Sequence, residues 1–170
     1  MNKLNITLAH PSFPSNDLCE SVASILDEND SGAMSTLRGN KAYINTAFFT
    51  YSSDLHLYFL SRLYDEHSKN IEQNHSTAVA IWSIPEVWGT DLRGVQLFGT
   101  SELVPFSKLI EPLRIYNQRF PLFSNTVKHP EDFNKGVTES RIYVLKVDSL
   151  KLLDEPRFGR RNYLTLEVKR

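Results

Sequence analysis

A length of 170 residues, with 41% hydrophobic and 23% charged residues, suits one compact domain and excludes a disordered chain. The 19 Lys and Arg nearly balance the 20 Asp and Glu, for a net charge of −1, so no bulk field favours nucleic acid or an anionic membrane and any anion site must be local. The apolar runs fall short of the ~20 residues that cross a bilayer, and the opening MNKLNITLAHPSF lacks the continuous apolar stretch of a secretion signal, so the expectation is a cytoplasmic protein.

Asp17 and Glu20 have capping-box spacing, and Leu18, Val22, Ile25 and Leu26 recur with helical period, which predicts an amphipathic helix over 17–29. The single cysteine, Cys19, falls in this helix and reads as a packing residue. Gly39-Asn40 between the Gly32–Arg38 segment and the apolar run Ala42–Thr50 predicts a β-hairpin. After a turn at Ser52-Ser53-Asp54, the alternation of Leu55, Leu57 and Phe59 with His56, Tyr58 and Leu60 predicts a central strand. Asp65 sits at the natural N-cap of a short helix reaching Asn74. Ser76–Ser83 and Leu92–Val104 read as strands, with Gly94 and Gly99 suggesting bulges or close backbone approach. Helical spacing returns over 107–120, the stretch Pro121–Gly136 carries no assignment, Arg141–Val147 is a strand continuing across the barrel through Leu150–Leu153, and Asn162–Val168 could add a closing segment. Consecutive antiparallel strands of this number must remove their edges, and closure into a barrel does so.

No P-loop, dinucleotide-binding glycine pattern, zinc spacing or nucleophile elbow is present. The histidines at 10, 56, 67, 75 and 129 lack ligand spacing, so no metal site is expected, and no carboxylate pair stands out as acid and base. What does stand out is a set of donors near strand ends: Ser61, Arg62, His67, Ser68 and Lys69, then Arg93 and Gln96, then Arg157, Arg160 and Arg161. A phosphate needs several such groups together; scattered, they are solvated surface charges. The aromatic residues Tyr58, Trp82, Trp88 and Phe98 read as core or interface packing, with Trp88 also a candidate for stacking on a ligand ring.

The order GAMSTLRGNKAYINTAFFTY, LHLYFLSRLYDEHSKNIEQNHSTAVAIW and LRGVQLFGTSELV resembles the pyridoxamine 5′-phosphate oxidase-like family of flavin-binding split barrels. The resemblance covers about Ser31 to Val104, more weakly the rest, and looks closest to small uncharacterised bacterial members that share RGVQ, a YNxRFP segment (Tyr116–Pro121) and a terminal FG followed by two basic residues (Phe158–Arg161). It implies a mainly β, six-stranded Greek-key split barrel with peripheral helices. The single domain over 1–170 would comprise the helix at 17–29, a barrel core at 31–104, a helix at 107–120 and a C-terminal strand and tail at 139–170. It also implies FMN bound in the interface of a homodimer. Carried over by position, Asn45, Thr46, Ala47 and Phe48 would present backbone amides to the flavin ring, with Ala47 and Phe48 stabilising its reduced form. Phe59, Leu60, Ser61 and Arg62 would contact the ribityl chain and phosphate. Gln96 would reach the flavin, often that of the neighbouring subunit, with Arg93 at the mouth of the same strand. Phe158, Gly159, Arg160 and Arg161 would supply C-terminal contacts.

One departure matters. Where the family's helix opens with Ser-Arg-Lys, aligning Asn70-Ile71 on its Asn-Leu pair puts Asp65, Glu66 and His67. Two carboxylates beside a phosphate repel it by about 1 kcal/mol per charge pair at ~4 Å in water. Either Arg62, His67, Ser68 and Lys69 compensate, or the site has lost the phosphate. The first expectation is an FMN-dependent oxidoreductase taking hydride from NAD(P)H or a small substrate, since in this fold the cofactor supplies the redox chemistry. The second is a non-catalytic module holding flavin or heme, with His67 or His129 as an axial ligand. The third is a flavin-free dimeric barrel. A genuine pyridoxamine 5′-phosphate oxidase would need further phosphate-binding residues that this sequence does not show.

Overall fold

The structure is a computed structural model that describes residues 3–85 and 87–170. A short strand β1 (Thr7–Leu8) precedes helix α1 (Ser15–Glu28), which buries Leu18, Val22, Ile25 and Leu26 completely. The expected Asp17–Glu20 capping box does not form. The helix starts earlier, because Ser15 Oγ accepts the Leu8 backbone N–H at 3.0 Å, and Asp17 lies in the first turn, where the helix dipole favours a carboxylate. Cys19 is buried, with its Sγ 3.6 Å from the Ile6 carbonyl.

The hairpin of β2 (Ser31–Arg38) and β3 (Lys41–Tyr51) closes with Arg38 opposite Lys41, and Gly39 takes φ +59° in the turn. Then come β4 (His56–Arg62), α2 (Glu66–Gln73), β5 (Ser76–Ser83) and β6 (Arg93–Leu103). The 107–120 prediction resolves into a 3₁₀ turn at Phe106–Lys108 and helix α3 (Ile110–Arg119), which tolerates Pro112 in its first turn. The unassigned stretch contains a short helix α4 (Pro121–Ser124) and a 3₁₀ turn at Pro130–Phe133. The chain ends with β7 (Ser140–Asp154), α5 (Glu155–Phe158) and β8 (Tyr163–Lys169). No described helix is long and apolar enough to cross a membrane.

The strands run in the order β1-β8-β7-β4-β3-β2-β5-β6, and β6 also pairs with β7, so β2 to β7 close into a six-stranded antiparallel barrel. The closing partner is therefore β7 itself. Asn162–Val168, expected as a closing segment, forms β8 outside the ring, paired with the far half of β7 and with β1. β7 serves three neighbours along its length: β4 on its first half, β8 on its second, and β6 throughout. The register of β6 on β7 slips between Phe98 and Gly99, and Gly94 pairs in register but at the expected close approach, where a Cβ would stand 3.1 Å from the Ile81 carbonyl oxygen. At Gly99 a Cβ would stand 1.9 Å from the Lys146 carbonyl oxygen, so only glycine permits this approach.

Two apolar clusters follow from this wrapping. The main one fills the barrel and the space under α1; a smaller one, built on Tyr58, Leu113, Val127, Phe133 and Ile142, lies beneath α3 on the outer face of β4 and β7. Arg119 joins them. Its guanidinium donates to the Leu26 carbonyl at 2.8 Å and the Asn29 carbonyl at 2.7 Å, capping the C-terminus of α1 from α3, and it lies 5.0 Å over the Phe49 ring.

Urea denaturation of two glycine variants checks this account. Gly99→Ala should cost at least about 3 kcal/mol or prevent folding, because the clash is with backbone. Gly39→Ala, strained only in φ with nothing within 4 Å of the added methyl, should cost about 1–2 kcal/mol.

Candidate ligand-binding site

β3 pairs with β2 from Lys41 to Phe48 but with β4 only from Phe49 to Tyr51, leaving one edge of its first two-thirds open. This gap is where the barrel is split. Peptide groups in an antiparallel strand alternate sides, and the Phe49 N–H donates to the Asp30 carbonyl at 3.1 Å on the β2 side. Odd-numbered residues of β3 therefore bond to β2, and the peptide groups of Ala42, Ile44, Thr46 and Phe48 face the gap. Of the four residues expected to offer amides, Thr46 and Phe48 point theirs outward, while those of Asn45 and Ala47 are spent on β2. Asn45 still bears on the gap through its side chain: Oδ1 is buried without a hydrogen-bond donor among the described residues. Ala47 packs against the core.

At the end of β4, Ser61 Oγ lies 2.7 Å from His67 Nε2 and 2.6 Å from Ser68 Oγ, a buried knot between strand and helix. Burial pushes the His67 pKa down, with the Asp65 charge acting weakly in the opposite sense. Beneath the knot, Asn70 Nδ2 donates to Thr36 Oγ1 at 3.1 Å. The two troublesome carboxylates are both neutralised: Asp65 pairs with Arg62 at 3.1 Å and Glu66 with Arg38 at 2.9 Å. Asp65 thus turns back to β4 instead of capping α2, and Lys69 stands exposed on the same helix. The Arg38–Glu66 contact joins a hairpin tip to a helix, which neither local pattern could reveal. Phe59 packs into the barrel, stacked on Tyr143 with ring centroids 5.6 Å apart, while Leu60 faces the outer cluster beneath α3.

A second arrangement lies three strands along the sheet from β3. A cavity of about 880 Å³ runs between the β5–β6 loop, the start of β6 and the α5–β8 turn, and it gathers Gln96, Lys151, Arg160, Arg161, Trp82, Trp88 and Tyr163. Glu155 pins the turn by accepting the backbone N–H groups of Leu92 and Arg161, which together with both nearby guanidinium groups hold its pKa down. Arg93 also borders this cavity, yet its guanidinium is engaged by Glu28 at 2.6 Å, Ser24 at 2.9 Å and the buried Asp154 at 3.5 Å. Phe158 is buried edge-on against Phe13, and Gly159 forms the bend that exposes the two arginines.

Within one chain the two arrangements share no cavity. Thr46, Ala33, Ala80 and Gln96 lie side by side across four strands, so Gln96 stands about 14 Å from β3. Between them the outer face is small, with Ala33, Ser35, Ala78 and Ala80, and is flanked by exposed Ile44 (70%), Phe48 (62%) and Trp82 (55%). Tyr163 and Lys151 were not foreseen as site residues; their strands alternate as ordinary half-exposed elements. Among the described residues no group of three or more His, Cys, Asp or Glu could hold a metal ion.

No protein-family model matches the chain, and no curated protein does. Solved structures do. A heme-binding protein from Mycobacterium smegmatis superposes with a TM-score of 0.67 at 14% identity over 86% of this chain, which spans 57% of that protein's length. A FAD-binding protein from Mesorhizobium loti gives 0.60 at 12% identity over 86% of this chain and 96% of that one. A Clostridium acetobutylicum protein related to general stress protein 26, of the pyridoxinephosphate oxidase family, gives 0.59 at 8% identity, covering 86% and 91%. At these identities the likeness establishes the shared fold.

The lowered His67 pKa has a sign that can be checked. Burial opposes the charged ring in the folded state, so stability is undiminished above the unfolded value of about 6.5 and is lost as pH falls from there through the lower folded value. His67→Gln should flatten that part of the acid limb in chemical denaturation at a series of pH values, leaving a smaller slope from His56, which burial also shifts down.

Proposed function

From a split barrel shared with flavin- and heme-binding proteins, we propose that this chain binds FMN between two copies of itself and acts as a flavin-dependent oxidoreductase, with NAD(P)H or a small molecule as hydride donor. The carrying observation is the open edge of β3, where the outward N–H groups of Thr46 and Phe48 and the Asn45 Oδ1, unpartnered among the described residues, run toward the Ser61–His67–Ser68 knot. A ring with donors and acceptors along one edge satisfies such a row. Its phosphate would be held by Arg62, His67 and Lys69, and the ion pairs of Asp65 and Glu66 remove the repulsion that those carboxylates would otherwise exert.

The flavin, when bound, supplies the hydride chemistry. The chain's own part is to hold and orient it: the Thr46 and Phe48 N–H groups donate toward the ring's acceptor edge, and the half-buried His67 helps to exclude water at the phosphate end. A second copy would cover the gap. The small-residue face with its exposed Ile44, Phe48 and Trp82 supports a close self-contact, which would carry Gln96 of one copy toward the β3 edge of the other.

Heme in place of flavin is the second reading, favoured by the heme-binding structure that superposes at 0.67. His67 would be its ligand, because the His129 side chain caps the 3₁₀ turn at Pro130–Phe133.

Purified protein should show flavin absorbance, bind FMN at one per chain and sediment as a dimer at micromolar concentration. Riboflavin, lacking the phosphate, should bind at least about tenfold more weakly, and an Arg62→Glu/Lys69→Glu variant should remove that preference. A Soret band would transfer the site to heme. A monomer that binds neither ligand would end both readings.

A further inference from the structure

The end of the barrel where β3 turns into β4 carries a cavity that flavin binding at the β3 edge does not use. Its volume is about 850 Å³, and it lies between α3, the end of α1 and the turn at Ser52-Ser53-Asp54, with Thr50, His56 and Tyr58 on its strand side. Thr50 and Tyr58 are cross-strand partners, and the Tyr58 ring belongs to the small outer cluster. His56 precedes Ser61 by five positions on β4, about 17 Å at ~3.4 Å per residue, so this cavity is separate from the hydroxyl–imidazole knot.

Thr50 is only 3% exposed, yet its hydroxyl makes no hydrogen bond among the described residues and the side chain borders the cavity. A hydroxyl withdrawn this far from water ordinarily finds a partner in its own chain. The charges of the lining are out of balance as well. Four carboxylates, those of Asp27, Asp30, Asp54 and Glu111, face three cations, Lys3, Arg114 and Arg119. Arg114 is engaged by Glu111 through bonds of 2.8 and 2.6 Å, and Arg119 by Asp30 at 3.2 Å. Asp27 accepts the Tyr51 hydroxyl at 2.6 Å. The Asp54 carboxylate, exposed in the turn, makes no ion pair or hydrogen bond among the described residues. His56 adds no charge to this balance at neutral pH, because burial and then the Arg170 charge push its pKa down. The acidic groups stand apart around the walls: among the described residues no three His, Cys, Asp or Glu converge as they would on a metal ion.

We infer that this cavity binds an aliphatic diamine or polyamine, with one ammonium at the Asp54 carboxylate and another donating to the Thr50 hydroxyl. An ammonium group has three donors and no acceptor, so it satisfies a carboxylate and a lone hydroxyl alike. The methylene stem between two such groups packs on Ile115 and the Tyr58 ring, which line the same cavity. Carboxylates spread around a wall suit an extended cation with separated charges, and the volume falls within the roughly 300–1,000 Å³ of small-molecule sites. The inference goes beyond the proposed function and does not rest on it.

The test titrates the full chain by calorimetry with putrescine, and with 1,4-butanediol as an uncharged counterpart of the same length, at about 0.15 M salt to screen diffuse surface attraction. Putrescine should bind at one per chain and at least tenfold more tightly than the diol. Asp54→Asn should weaken it about fivefold and Thr50→Val about threefold. Glu167→Gln, which removes an exposed carboxylate on β8, should change nothing. Equal affinity for diamine and diol, or no binding of putrescine, overturns the inference. So does undiminished binding by Asp54→Asn/Thr50→Val, and so does an equal loss in Glu167→Gln, which marks attraction to the surface at large. Urea midpoints separate lost binding from lost folding, and Asp54→Asn, in an exposed turn, decides alone if Thr50→Val does not fold.

Discussion

The whole arrangement depends on one strand being hydrogen-bonded to three others. β7 gives its first half to β4, its second half to β8 and both halves to β6, and the β6 contact is possible only because Gly99 lets the Lys146 carbonyl through. That pairing closes the ring. Once β7 bridges β4 and β6, the barrel needs no further seam there, and the unfilled seam appears on the other edge of β4, where β3 runs past the end of its pairing. Closure on one side and a gap on the other are two outcomes of the same geometry.

The gap sets the chemistry. An open strand edge is usually a liability, because unpaired peptide groups invite another chain. Here the edge is bordered by a buried knot of hydroxyls and imidazole and by two arginine–carboxylate pairs that leave little net charge of either sign. The cavity at the start of β6 is built in the opposite way, with aromatic walls and two arginines, Arg160 and Arg161, that make no ion pair among the described residues. A chain with a net charge of −1 has therefore spent its arginines unevenly, and the two without a partner among the described residues line a concavity.

Much of the fold could be read in the sequence where a local pattern has one physical solution. The Gly39-Asn40 turn, the alternation in β4 and the apolar stripe of α1 each fall in this class. The helix start failed because Ser15 bonds to Leu8, a contact set by β1, and a two-residue strand leaves no periodic signal. The candidate site was legible in its membership and less so in its grouping. Ser61, His67 and Ser68 do meet, and Gln96, Arg160 and Arg161 do meet, but within one chain the two sets stand strands apart. Arg93 shows the limit: next to Gln96's strand mouth it looks like a ligand donor, and only the packing of α1 against β6 and β7 reveals Glu28 and Asp154 as its partners. A carry-over by position likewise could not tell that Thr46 and Phe48, and not Ala47, turn their amides outward, because that parity is fixed by the hairpin register.

The cap that Arg119 places on α1 ties together parts of the molecule that sequence distance separates. Two carbonyls at the end of the first helix receive their donors from a side chain some ninety positions later, and that side chain also leans on a barrel ring. The small outer cluster can then hardly come away by itself, since its departure would strip the helix end and uncover Phe49 together. A peripheral layer that could have been an independently melting appendage is drawn into the cooperative unit of the barrel.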